Sequence, residues 1–234
     1  TMALEFAEQA AFDTLLLAVG GGGQIAGCAA AVGETAKVVA VDKLDVSAQP
    51  ADNLPSSRCD SEATSLILFT SGSTGRPKGT VHSHANPYWT AELYGRRVLG
   101  LTGEDVCFSA AKLFFAYGLG NGLSFPMTVG ATTLLMPERP TPDATFRRWL
   151  GGVGGVKPTV FFGAPTGFAG MLAHPALPPK EAVAMRLVSS AGEALPAELG
   201  ERFKAHFGVD IVDGIGSTEM LHIFLSNLPE KVVY

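Results

Sequence analysis

The chain has 234 residues, of which 47% are hydrophobic and 17% charged, and its net charge is −5. This composition is typical of a globular chain with a sizeable core and excludes a disordered one. Because the lysines and arginines form no block, the sequence predicts neither nucleic-acid binding nor binding to a membrane surface.

The cysteines and the uncharged runs indicate the compartment. Cys28, Cys59 and Cys107 are far apart and form no C-x-x-C pair, which favours a reducing compartment without a disulfide framework or a zinc site. The uncharged runs 14–33 and 113–137 are broken by glycines, so neither predicts a transmembrane helix of about 20 apolar residues. No targeting segment is evident, and we expect a cytoplasmic protein.

Short apolar runs alternate with longer amphipathic stretches along the chain, a pattern that predicts an α/β fold. Asn86 and Thr141 each precede a proline and are expected to cap helices, and Pro196 opens a helix that Gly208 closes. The predicted strands, in chain order, are TLLLAV, KVVAV, SLILF, VCFSA, ATTLLM, TVFFG, RLVSS and VDIVDG.

Residues 1–44 differ from the remainder of the chain. They indicate a strand, a glycine-rich turn, a helix and a strand that ends at Asp42, and Gly21-x-Gly23-x-x-Ala26 formally satisfies a dinucleotide-binding fingerprint. A plain βαβ unit with a tight turn explains the same pattern. The GGGG turn also resembles the phosphate loop of the pyridoxal-phosphate-dependent threonine/serine dehydratases, but their Schiff-base lysine motif is missing. We interpret residues 1–44 as a βαβ-like segment, either native to the gene or fused to it, and residues 45–234 as the main domain.

The stretch TSGSTGRPKGTVHSHAN, residues 70–86, is rich in glycine and hydroxyl groups and follows the apolar run SLILF. It fits either a surface loop or a phosphate-binding loop, in which glycines let backbone N–H groups approach an anion. It is not a Walker A motif, because Lys78 follows a proline and the hydroxyls precede it. His82 and His84 resemble a metal pair but have no third ligand in view. The candidate phosphate ligands are Thr70, Ser71, Gly72, Ser73, Thr74, Gly75 and Lys78.

Together with three motifs further along the chain, this loop resembles the phosphate loop of the adenylate-forming superfamily, which includes acyl- and aryl-CoA ligases, peptide-synthetase adenylation domains and luciferases. LFFAYGLGNGL (113–123) is similar to the family's substrate segment, SSAGEALP (189–196) to its adenine-side loop, and DGIGSTEMLHIF (213–224) to its Thr-Glu motif. AAKLFFAYGLGN, LLMPERPTPDATF and GIGSTEMLHIF most resemble benzoate-CoA ligases and their hydroxybenzoate relatives. The resemblance implies part of an N-terminal adenylation domain, with mixed sheets flanked by helices.

The resemblance also implies roles for individual residues. Thr218 would bind an α-phosphate oxygen, Glu219 would hold Mg²⁺ and Lys78 the departing phosphates, so these three are the candidate catalytic residues. From the residues alone, Ser217-Thr218-Glu219 is also compatible with a helix cap, which does not exclude the functional role, and His222 with a buried structural histidine. The implied adenine side is Ala191, Gly192, Glu193, Asp213, Gly214 and Ile215, and the implied aryl pocket is Ala116, Tyr117, Gly216, His222 and Ile223.

The implied function is ATP-dependent activation of an aromatic carboxylate and its transfer to coenzyme A, with Mg²⁺ as cofactor. Adenylation that serves a carrier-protein thiol and a non-catalytic nucleotide- or aryl-binding module are the alternatives. The family's ribose-binding aspartate and its C-terminal domain with a catalytic lysine are not matched, so the resemblance implies a fragment that is at best weakly active alone.

Overall fold

A computed structural model describes the backbone of Thr14–Leu17 and Lys37–Ala40 and all atoms of residues 60–70 and 78–234. The chain divides into two compact units, Thr1–Asp60 with Phe69–Thr80 and Ser61–Leu68 with Val81–Tyr234. In the first unit, strands β1 (Thr14–Leu17) and β2 (Lys37–Ala40) pair in parallel, which confirms the first two predicted strands. The glycine-rich turn between them lies outside the described residues, as does the predicted boundary after residue 44, which stays a prediction.

A six-stranded mixed sheet forms the centre of the second unit, with strand order β10-β9-β8-β7-β5-β6. Strands β5 to β9 pair in parallel and β10 is antiparallel to β9, so the predicted α/β class with a mixed sheet is confirmed. Two further strands, β3 and β4, pair with each other. The bounds are β3 Thr64–Thr70, β4 Lys78–Ser83, β5 Val106–Ser109, β6 Thr132–Leu134, β7 Val160–Gly163, β8 Leu187–Ser190, β9 Ile211–Gly216 and β10 Ile223–Ser226.

Helices cover both faces of the sheet. The uncharged run at 113–137 forms one continuous helical stretch from Ala116 to Val129 with a π-helical middle part, and Gly130, in the left-handed region at φ 76°, ends it before β6. No helix in the described part of the chain is long and apolar enough to cross a membrane. The bounds are α1 Ala85–Thr90 with a π-helical continuation Ala91–Arg96, α2 Ala116–Leu119, a π-helical segment Gly120–Ser124, α3 Phe125–Val129, α4 Pro142–Trp149, α5 Pro165–Leu172, a 3₁₀ turn Lys180–Ala182 and α6 Ala197–Phe207.

The core follows from the alternation of side chains along the strands. In β7, Phe161 packs in one cluster with Trp149 and Phe203, and its neighbour Phe162 packs in a second cluster with Phe125. Every residue of β7 and β8 is buried, as expected for parallel strands covered on both faces.

The helix ends confirm two sequence predictions and correct one. The Thr141 hydroxyl caps α4, and Gly208, in the left-handed region at φ 74°, ends α6. The prediction that Asn86 caps a helix is wrong, because α1 begins one residue earlier, at Ala85. The Asn86 side chain instead bonds the buried ring of His82, a partner that outweighs the local capping preference.

A buried carboxylate ties the start of β5 to the segments before β7 and β8. Asp105 is 3% exposed and accepts hydrogen bonds from Arg186 at 2.8 and 2.5 Å, from the Thr159 hydroxyl at 2.8 Å and from the Thr102 N–H at 2.9 Å. Burial by itself would raise the pKa of this carboxyl, but the donors together outweigh it and hold the pKa below its usual range.

Replacing Asp105 with asparagine should lower the free energy of unfolding at neutral pH by about 1.5–3 kcal/mol, since a charged acceptor is lost. A lowered pKa means that the carboxylate's contribution is fully present above its ordinary pKa of about 4 and is lost as pH falls through the lowered value. Urea unfolding at neutral and increasingly acid pH should therefore show the two proteins converging below about pH 4. A difference in the free energy of unfolding between the two proteins that stays constant down to acid pH would contradict this account.

Candidate active site

The candidate site lies at the carboxyl edge of the sheet, where ligands of open α/β sheets bind. Strands β8 and β9 run in register, with Ser190 beside Asp213, and the chain then turns back from Gly216 into β10. The implied adenine-side and aryl residues lie in β9, in the turn after it, in the loop after β8 and in α2. The fold therefore brings these segments to one edge.

His222 is the centre of an aromatic cluster. Its ring is 2% exposed, and its centroid lies 4.4 Å from that of Phe125, 5.3 Å from Tyr117 and 5.5 Å from Tyr94. Its Nε2 lies 3.1 Å from Asn121 Oδ1 and 3.3 Å from the Tyr117 carbonyl oxygen. Both neighbours are acceptors, so Nε2 carries the proton and Nδ1 has a free lone pair.

Burial determines what this histidine can do. Desolvation lowers the pKa of His222 to about 3, so the ring is neutral at physiological pH. Its Nδ1 is buried and has no hydrogen-bonding partner within the described residues. A neutral ring cannot balance the charge of a carboxylate, but it can present an apolar face or accept a hydrogen bond. His222 is thus buried, as its interpretation as a structural histidine predicts. Its role in an aryl pocket stays a prediction.

Several residues of this cluster were missed by the sequence reasoning. The hydroxyls of Tyr94 and Tyr117 converge on Ser189 Oγ at 3.3 and 3.4 Å. Tyr117, Asn121 and Phe125 are spaced four residues apart, which is the spacing of one helical face and could have indicated that they act together. Ser189 begins the SSAGEALP motif, but nothing in the sequence indicates its contact with the two tyrosines, and Tyr94 carries no comparable signal.

The implied aryl residues do not line a single cavity. Ile223 borders one of about 640 Å³, together with Glu219 and Tyr94, whereas Tyr117 borders another of about 340 Å³ with Lys112 and Phe115. His222 is buried beside Tyr117. Ala116 is half-buried at the start of α2, and a Cβ at Gly216 would lie 2.9 Å from the His222 carbonyl oxygen, so the turn returns too closely for a side chain there.

On the implied adenine side, Asp213 has the most distinctive environment. Its Oδ1 is buried without a hydrogen-bonding partner among the described residues, and desolvation raises the pKa of its carboxyl. A buried acceptor without a partner fits a donor such as the exocyclic amine of adenine. Glu193 instead accepts a hydrogen bond from the Thr166 hydroxyl at 2.7 Å.

The remaining adenine-side candidates differ in exposure. Ala191 and Gly214 are buried, Gly192 has a left-handed φ of 94°, and Ile215 is 59% exposed. The exposed isoleucine offers an apolar surface at the sheet edge, and its contact with a nucleotide stays a prediction.

Residues 217–222 form a turn between β9 and β10. The Thr218 carbonyl accepts from the Leu221 N–H at 3.1 Å, and Ser217 Oγ accepts from the Met220 N–H at 3.2 Å. The helix-cap interpretation is therefore wrong: Leu221 has a φ of 63°, which reverses the chain instead of starting a helix. The Glu219 side chain is exposed on this turn.

A metal ion at Glu219 would need ligands from its substrate. Nowhere in the described ranges do three His, Cys, Asp or Glu residues form a group that could hold a metal. Mg²⁺ is commonly held by one or two carboxylates together with substrate phosphates and water, and an exposed Glu219 fits that donor set.

The phosphate loop is only partly described. Thr70 ends β3 and the exposed Lys78 begins β4. Ser71, Gly72, Ser73, Thr74 and Gly75 lie outside the described residues. The expected approach of this loop to Gly214–Glu219 therefore stays a prediction.

A mixed α/β sheet with candidate ligand-binding turns at its carboxyl edge is the architecture of the N-terminal domain of adenylate-forming enzymes, and the comparisons with known proteins agree. A family model described as AMP-binding enzyme matches residues 19–233. The chain belongs to this family.

Its relatives include aryl-CoA ligases. Benzoate–CoA ligase of Thauera aromatica is 59% identical over 71% of this chain, and a 4-hydroxybenzoate–CoA/benzoate–CoA ligase of Rhodopseudomonas palustris is 50% identical over 71%. The matched parts cover 31% and 30% of those relatives, so the chain spans about a third of their length. The crystal structure of a benzoate CoA ligase from Burkholderia xenovorans LB400 superposes on 99% of this chain and 46% of its own, with 45% identity and a TM-score of 0.76.

Proposed function

We propose that the full-length protein activates an aromatic carboxylate, benzoate or a close relative, with ATP and transfers the acyl group to coenzyme A. The observation that carries this proposal is the packing of Tyr117 against His222, with ring centroids 5.3 Å apart. This contact joins α2, the implied substrate segment, to the turn that holds Thr218 and Glu219. The 59% identity to a benzoate–CoA ligase supports an aromatic substrate.

The proposed reaction has two steps. First, the substrate carboxylate oxygen attacks the α-phosphorus of ATP, and pyrophosphate leaves with the electron pair of the broken P–O bond. Second, the sulfur of coenzyme A, having lost its proton, attacks the acyl carbon, and AMP leaves. Both steps develop negative charge on oxygen, and catalysis depends on groups positioned to stabilise it.

The residues of the site fit these steps. Thr218 would donate its hydroxyl to an α-phosphate oxygen, and Asp213 Oδ1 would accept from adenine. Glu219 would hold Mg²⁺, which supplies positive charge against the phosphate oxygens when bound. The neutral ring of His222 and the side chain of Tyr117 would face an uncharged aromatic ring and exclude water from it. Since ATP and coenzyme A are intracellular compounds, we place the reaction in the cytoplasm.

The test is ATP–pyrophosphate exchange by the full-length protein with benzoate, 4-hydroxybenzoate and a medium-chain fatty acid, with and without Mg²⁺. We expect exchange with an aromatic acid to exceed exchange with the fatty acid at least about tenfold, as a pocket that fits one shape allows. Exchange should require Mg²⁺, and adding coenzyme A should give the aryl thioester, detected by mass.

The other outcomes separate the alternatives. Exchange without thioester formation would indicate that another thiol, such as that of a carrier protein, is the acceptor. Binding of ATP or benzoate without exchange would indicate a non-catalytic module, and exchange only with the fatty acid would overturn the aromatic assignment.

A further inference from the structure

His82 is a buried histidine with a complete set of hydrogen bonds. It lies in β4, is 1% exposed, and its Nε2 is 2.8 Å from the carbonyl oxygen of Thr218. Its Nδ1 is 3.0 Å from Asn86 Nδ2, and Asn86 Oδ1 accepts from the Ser83 hydroxyl at 3.3 Å. A carbonyl can only accept, so Nε2 donates to Thr218 and Nδ1 accepts from Asn86.

This arrangement leaves no ring nitrogen for a metal. Both ring nitrogens of His82 take part in hydrogen bonds to other protein groups. The pattern of His82 and His84 is therefore explained by the packing of His82 and not by metal binding. The geometry identifies His82 as a connection between strand β4 and the turn after β9.

The turn that His82 contacts needs such support. The Thr218 carbonyl is shared by two donors, the Leu221 N–H inside the turn and His82 outside it. Leu221 adopts a left-handed φ of 63°, a conformation that costs free energy for a residue with a Cβ and persists only where the surroundings hold it. The bond from His82 is therefore one of the restraints that keep Thr218 and Glu219 in place.

We infer that His82 is a positioning residue for the Thr218–Glu219 pair: its Nε2–H fixes the Thr218 carbonyl and thereby orients the hydroxyl and carboxylate of the pair. This inference rests on the proposed function, because it assigns Thr218 and Glu219 to the α-phosphate and Mg²⁺. Small displacements of groups that act in the transition state can cost up to about a hundredfold in rate.

The experiment compares four variants of the full-length protein in ATP–pyrophosphate exchange with benzoate. His82→Leu removes the donor, and His82→Gln retains one, since a glutamine amide reaches about as far as Nε2. Asn86→Leu removes only the hydrogen bond to Nδ1. His206→Leu is the control for the loss of the same kind of bond elsewhere: His206 lies on the exposed side of α6, and its Nε2 bonds the backbone carbonyl of Pro178 at 2.9 Å.

We expect His82→Leu to lower kcat about 10- to 100-fold and to raise the Mg²⁺ concentration needed for half-maximal rate, with little change in KM for benzoate. His82→Gln should recover most of this loss, Asn86→Leu should show a smaller loss of the same kind, and His206→Leu should match the wild type. A purely structural role would lower the melting temperature without changing the Mg²⁺ requirement and would not be corrected by glutamine.

The results separate this inference from the proposed function. If the wild-type protein shows no exchange with any aromatic acid, the proposed function fails. If the wild type is active but His82→Leu keeps its kcat and Mg²⁺ requirement, the positioning role is wrong and the proposed function stands. If His82→Leu does not fold, Asn86→Leu decides: an unchanged Mg²⁺ requirement in that variant overturns the inference.

Discussion

Replacing Glu219 with glutamine is expected to slow aryl-adenylate formation by at least about a hundredfold, the size of effect seen when a charge-stabilising group is lost from a transition state. The amide keeps the size of the side chain but loses the negative charge that a hard cation prefers. The hydrogen bonds of the turn, from the Leu221 N–H to the Thr218 carbonyl and from the Met220 N–H to Ser217 Oγ, do not involve the carboxylate and should survive. Pyrophosphate exchange measured over a series of Mg²⁺ concentrations is the test.

The matched control is Glu201→Gln, which makes the same chemical change on the exposed surface of α6. It should leave both the rate and the Mg²⁺ requirement at wild-type values. A Glu219→Gln variant with an unchanged Mg²⁺ requirement would show that another group holds the metal.

Most strands of the sheet could be predicted because buried strands have apolar local sequences. Runs such as TVFFG and RLVSS are apolar enough to indicate β7 and β8, which are buried throughout. Strand β4, KGTVHS, was missed because its residues are polar and small, and only the burial of His82 within it marks a packed face. Strand β10 was missed because it is an edge strand whose Phe224 and Leu225 are exposed, so the usual alternation is absent.

The failed prediction of a helix cap at Asn86 has a tertiary cause. Asn86 precedes a proline in a local pattern that favours a helix cap, but its side-chain amide bonds the buried ring of His82 instead. The cap alternative at Ser217 fails because no helix follows it: residues 217–222 form a turn whose Thr218 carbonyl accepts a hydrogen bond from His82, far away in the sequence. Local spacing carries no information about such partners.

In the site, too, residues within motifs could be predicted from the sequence, whereas their tertiary contacts could not. The resemblance identified Tyr117 and His222 from their motifs, and the structure brings their rings together. Tyr94 and Ser189 complete their surroundings from other elements, and although Ser189 lies in a quoted motif, the contacts of both residues are recognisable only through the fold. The tautomer of His222 likewise depends on Asn121, whose role no motif describes.

Replacing Gly120 with alanine should raise KM for benzoate at least about tenfold and lower the free energy of unfolding by about 1–3 kcal/mol, as overpacking in a core does. Gly120 begins the π-helical segment, where alanine would otherwise favour the helix by up to about 1 kcal/mol. A Cβ there, however, would lie 2.4 Å from His222 Cδ2 and 2.7 Å from its Nε2. The ring is enclosed by Phe125 and two tyrosines, so a shift away from the new methyl group would strain the bonds of Nε2 to Asn121 and to the Tyr117 carbonyl.

Gly122→Ala, two residues further along the same segment, separates this steric effect from helix propensity. A Cβ at Gly122 would meet only the end of the Leu113 side chain at 2.9 Å, and that side chain is flexible and 38% exposed, so it can turn away. We expect this variant to stay within about 1 kcal/mol of the wild type in urea unfolding and to keep its KM for benzoate. Equal KM values for the two alanine variants would show that the His222 ring does not shape the aryl pocket. A raised KM in Gly120→Ala alone would support the aryl assignment by a route independent of the phosphate-binding residues.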